Sequence, residues 1–129
     1  MNATISFLPG FDASHLENYF SNDAEAIKGM FLLVNEGLES DLHKVSNAYK
    51  EEKIAELQES VHTIRPLFFM LGLPEIQKVL NEFFDLCMSA SSVKEVSGAY
   101  TELWPKLEDA KSLINEQCKF FLLQTNIRA

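Results

Sequence analysis

His62 and Arg65 are the two side chains whose types and spacing most plainly suggest chemistry. They lie three positions apart in a stretch, 53–71, that reads as a helix and is closed by Gly72. Residues at i and i+3 are neighbours on a helix surface. A neutral imidazole nitrogen with open access can accept a phosphoryl group. A guanidinium beside it can balance charge on the three phosphoryl oxygens. The apolar stripe of the stretch is Ile54, Leu57, Val61, Ile64, Phe68 and Leu71. His62 falls on the order of 120–130° from the centre of that stripe, so it faces solvent or the edge of a bundle. A lone exposed histidine is usually an ordinary surface residue. The arginine one turn along is what favours chemistry here.

Other reactive patterns are weaker. Glu59-Ser60-Val61-His62 has the Glu-x-x-His spacing of di-iron carboxylate bundles. Such a site needs a second Glu-x-x-His and two further inward glutamates. Asp12 precedes His15 and Ser40 precedes His43 at that spacing, so no metal site is expected. No CxxC, Cys/His cluster, Ser/His/Asp set or phosphate-cradling glycine loop is present, which argues against a hydrolase. His15 and His43 read as solvated surface residues. A non-catalytic helical interaction module stays open as a competitor.

The elements that must hold His62 and Arg65 follow from composition and periodicity. With 129 residues, 47% of them hydrophobic and ten of them phenylalanines, the chain can build one core. One domain over 1–129 is expected, with 1–11 irregular around Pro9-Gly10. Ile5, Phe7, Leu8 and Phe11 are candidates to cap one end of it. A net charge of −8 argues against nucleic acid as a partner, since that needs a basic face. No stretch approaches a membrane span, and the N-terminus has no basic, then apolar, leader pattern. Cys87 and Cys118 sit in apolar helical patterns and read as buried free thiols, which fits a cytoplasmic setting.

Periodicity near 3.6 dominates and no strand-like alternation persists. A short helix is expected over about 12–20. A long one over 24–49 has Asp23 as its N-cap. The third is the His62 helix. Pro74 opens the fourth, with Ile76, Val79, Leu80, Phe83 and Cys87 inward. Ser92 and Glu95 form a capping box for the last, which Pro105 should kink near Thr101. Short links between long amphipathic helices imply antiparallel neighbours. The fold class is therefore all-α: an antiparallel up-down four-helix bundle with a short additional N-terminal helix.

The run Ala55-Glu56-Leu57-Gln58-Glu59-Ser60-Val61-His62-Thr63-Ile64-Arg65-Pro66, ending Leu71-Gly72-Leu73, resembles the histidine-containing phosphotransfer (HPt) domain. That family's motif is His, any residue, an aliphatic, Lys or Arg, Gly, small residues, and a closing aliphatic-Gly. His62, Ile64, Arg65, Leu71 and Gly72 match it, and Pro74 to Leu80 continues like the family's next helix. Leu8 to Asp12 and Asn22 to Glu25 look like its N-terminal section, so the resemblance runs from about Phe7 to about Phe121. It implies a phosphorelay intermediate without kinase activity or cofactor of its own. The partner would be a response-regulator receiver domain or a hybrid histidine kinase, and Mg²⁺ would belong to that partner. By position His62 is the acceptor and Arg65 neutralises phosphoryl charge.

The pattern departs from the family after Arg65. Pro66 stands where the family has glycine, and Leu67, Phe68, Phe69 and Met70 stand where small residues are usual. Proline cannot donate a backbone N–H, and its ring crowds the carbonyl of residue 62, so a bend at His62 is expected. Phe69 falls on the same side of the helix as His62. Two readings follow. Pro66 and Phe69, with Gly72, form a docking surface for a receiver. Alternatively they obstruct it, leaving a degenerate HPt-like adaptor that binds a signalling partner without phosphotransfer.

Overall fold

A computed structural model describes residues 5–128, with side chains to residue 124. The helices are α1 (Ala13–Tyr19), α2 (Ala24–Lys50), α3 (Ile54–Met70), α4 (Pro74–Ser89) and α5 (Ser97–Arg128), with a 3-10 turn at Val93–Val96 before α5. No strand occurs among the described residues. The expected irregular segment is irregular over 5–11, and its earlier part lies outside the described residues.

Local chemistry explains most helix ends. Asp12 and Asp23 cap α1 and α2, their carboxylates accepting from the N–H groups of His15 and Ala26. Glu52, with φ of 57°, turns the chain between α2 and α3. Gly72 does the same between α3 and α4 with φ of 69°, a left-handed conformation that glycine adopts at little cost. Pro74 occupies the first turn of α4. The Ser92–Glu95 capping box is present, but it starts the 3-10 turn rather than α5 itself. Such tightening is common where a helix begins. α3 continues through Pro66 and α5 through Pro105.

α2 packs on α3, α3 on α4, α4 on α5 and α5 back on α2, closing a four-membered ring of helices. Cross-links show opposed directions. Asn35 donates to Asn115 while Lys111 pairs with Glu39, and Gln58 donates to the Cys87 carbonyl while Arg65 reaches Asn81. In each pair of helices, later residues on one meet earlier residues on the other.

One continuous core fills the ring. From α3 it takes Leu57, Val61, Ile64 and Phe68, all fully buried. Each such side chain contributes roughly 1.5–3 kcal/mol by leaving water. This fixes the rotation of α3 and hence the outward direction of His62. At one end Phe7 and Phe11 join Phe31 and Phe121 in an aromatic cluster. Gln117, fully buried, ties the N-terminal segment there. Its side chain accepts from the Leu8 N–H at 2.6 Å and donates to the Ser6 carbonyl at 3.1 Å, so its amide is satisfied.

Candidate functional site

The rotation of α3 leaves His62 exposed on its outer face, along the seam with α4. Among the described residues its imidazole makes no hydrogen bond and no ion pair. Its ring neighbour is Phe84 of α4, with centroids 5.7 Å apart. Both ring nitrogens are thus without a protein partner, the condition a nucleophilic imidazole requires.

Arg65 is half-buried and held from α4 by two contacts. Its Nε–H donates to Asn81 Oδ1 at 3.0 Å. Its guanidinium carbon lies 4.1 Å from the centre of the Phe84 ring, a cation–π contact worth roughly 0.5–1 kcal/mol at a partly solvated site. Phe84 therefore serves as a common floor for His62 and Arg65. Four side chains, two from each helix, make up the site.

Asn81 and Phe84 were not among the residues singled out from sequence. The expected inward stripe of α4, Ile76, Val79, Leu80, Phe83 and Cys87, includes neither. The signal was available in the antiparallel register: positions 81 and 84 lie on the edge of α4 that meets 65 and 62.

Phe69 is 41% exposed, but its ring turns away from His62 toward α1. It meets the His15 ring edge-on at 4.7 Å and the Tyr19 ring at 5.7 Å. Pro66, three positions earlier, is exposed. Gly72, grouped with these two as a docking position, is instead buried. A Cβ there would lie 3.0 Å from Leu16 Cγ and 3.1 Å from the Asp12 carbonyl, and Asp12 donates to the Gly72 carbonyl at 2.7 Å. It is a packing position under α1.

His15 also differs from expectation. It is half-buried rather than solvated. Its Nε2 bonds the Phe69 carbonyl at 2.8 Å and its ring stacks on Tyr19. His43 is exposed, as expected. Cys87 and Cys118 are buried free thiols, and burial raises the pKa of both, that of Cys87 to about 11. Among the described residues no cluster of His, Cys, Asp and Glu could hold a metal ion, and no helix is long and apolar enough to cross a membrane.

No family model matches the chain, and no curated protein matches it significantly. A solved structure does. The chain is similar to the crystal structure of the HPt domain from a sensor hybrid histidine kinase of Shewanella, with a TM-score of 0.73. The match covers 83% of this chain and 92% of that one at 14% sequence identity. The likeness establishes an HPt-like helical bundle fold.

Proposed function

We propose that this chain is a histidine phosphotransfer protein of a two-component phosphorelay, with 1–129 acting as one unit. His62 accepts a phosphoryl group from the aspartyl phosphate of a receiver domain, either a response regulator or part of a hybrid histidine kinase, and passes it on. What carries the reading is an exposed imidazole that makes no hydrogen bond among the described residues, set beside a cation on an HPt-like bundle.

In the forward step an imidazole nitrogen forms the N–P bond as the acyl phosphate P–O bond breaks. The carboxylate leaves with the receiver and the imidazolium proton is lost to solvent. Arg65 balances charge on the transferring oxygens. Pro66 and Phe69 contribute apolar surface for the receiver, and no cofactor or metal of the chain's own takes part. The setting is the cytoplasm.

Incubation with a phosphorylated receiver tests the proposal. Acid-labile label is expected on wild type and none on His62→Gln. If wild type binds a cognate receiver yet takes up no label, the protein is an adaptor.

A further inference from the structure

Arg65 is the cation of the site, yet among the described residues no carboxylate pairs with it. This is notable in a chain with 19 acidic residues against 11 basic ones. Glu59 on α3, and Glu82 and Asp85 next to Asn81 and Phe84 on α4, are exposed. The described ion pairs involve Lys53, Lys111 and Lys119. The partners that hold Arg65 are a neutral amide and an aromatic face. Among the described residues only its Nε–H is engaged, so the terminal amino groups keep their donors for another ligand.

Resting on the phosphotransfer reading, we infer that Asn81 and Phe84 are positioning residues that hold the Arg65 guanidinium beside His62 without neutralising it. A carboxylate in place of Asn81 would hold the guanidinium in nearly the same position, and more tightly, but would cancel its charge. The amide anchors one edge of the guanidinium and the Phe84 ring supports its flat face. The positive charge and the open edge are left for the oxygens of an incoming phosphoryl group. The Phe84 ring, 5.7 Å from the imidazole and 4.1 Å from the guanidinium carbon, keeps both groups on one surface.

The distinguishing variant is Asn81→Asp. It matches the native shape and preserves the hydrogen bond, so a merely structural role for Asn81 predicts no loss. Phosphoramidate is the probe, because it phosphorylates imidazoles without a receiver. The N–P bond to His62 forms, the phosphoramidate P–N bond breaks, ammonia leaves, and the imidazolium proton passes to solvent. Labelling of His62 is followed by ³¹P NMR, with circular dichroism as the check on folding.

Asn81→Asp is expected to slow labelling about tenfold, close to the effect of Arg65→Gln. Arg65→Gln/Asn81→Asp should be no slower than Arg65→Gln alone, because Asn81 acts through the guanidinium. Phe84→Leu should slow labelling and Phe84→Tyr should retain it. Asn81→Asp within twofold of wild type, or wild type no faster than Arg65→Gln, would overturn the inference. So would a double variant slower than Arg65→Gln by the full Asn81→Asp factor, which would mean that the new carboxylate repels the phosphate directly. A receiver arm separates this from the phosphorelay reading. If phosphoramidate labels His62 in the expected order while a phosphorylated receiver does not, the phosphorelay reading fails and the positioning role stands.

Discussion

His15 and His62 both lie beside a phenylalanine, Phe69 at 4.7 Å for the first and Phe84 at 5.7 Å for the second. Only one of them is chemically idle in consequence. The His15 ring bonds a backbone carbonyl through Nε2 and stacks on Tyr19, so it is used up as a structural fastener between α1 and the end of α3. The His62 ring lies near the Phe84 ring with no hydrogen bond among the described residues, and the polar contact at its end of the seam is made by Arg65 instead. The junction of α1 with α3 spends its polar groups on holding the chain together. The seam of α3 with α4 also spends polar groups, through Gln58 and Arg65, but among the described residues it leaves the His62 nitrogens unused. A reactive histidine is recognised less by its neighbours' identity than by which of its nitrogens remain unused.

Substitution at the fastened end should break the comparison most strongly. Gly72 has φ of 69° and no room for a Cβ against Leu16 and the Asp12 carbonyl. Gly72→Ala is therefore expected to cost roughly 1–3 kcal/mol in urea unfolding. Phosphoramidate labelling of His62 in the folded fraction should be unchanged. A variant as stable as wild type would show that α1 is not locked through this contact. Slowed labelling would show that the two regions are coupled.

Phe69 sits between the regions in sequence, and it sharpens the contrast. Its ring belongs to the α1 junction by contact yet is partly exposed. Phe69→Ala should weaken receiver binding by about fivefold, the loss of one peripheral apolar contact, as measured by calorimetry. Chemical labelling of His62 should not change. Tighter binding would mean that the aromatic ring obstructs the receiver, and unchanged affinity would remove it from the interface.

The helices, their order and the outward turn of His62 were legible in the sequence, because apolar periodicity and end signals are local. Asp23, Gly72 and Pro74 each announce an end within a few residues of it. What could not be read was set by pairing between helices. Asn81 and Phe84 acquire meaning only once α4 is laid antiparallel on α3 and the register brings 81 to 65 and 84 to 62. The half-burial of His15 is hidden for the same reason: its partner lies 54 positions away. The burial of Gly72 likewise depends on α1 folding back over it. Pro66 and Pro105 each remove a backbone donor from a helix interior, yet each helix continues through its proline. A fully buried stripe on α3 explains why packing can override that local cost.

A further effect, confined to alkaline pH, concerns the inner side of the same seam. Cys87 stands one turn beyond Phe84 on α4 and is fully buried, whereas His62 opposite is exposed. Its backbone carbonyl accepts from Gln58 at 2.7 Å, but burial without charge stabilisation moves its thiol from an ordinary 9.0 to about 11. The folded state therefore prefers the neutral thiol, and the unfolded chain gives up its proton first as pH rises. This contribution to stability is whole below pH 9.0 and is lost as pH climbs through about 11. Urea unfolding across that alkaline window should show a decline that is shallower in Cys87→Ala, after allowance for that variant's lower baseline from the vacated volume. At neutral pH the native protein should react with thiol reagents only as fast as it opens. Equal alkaline slopes in the two proteins would show that the thiol is not shielded as its burial implies. The seam would then lose its sharpest contrast, an inert nucleophile facing inward and an available one facing out.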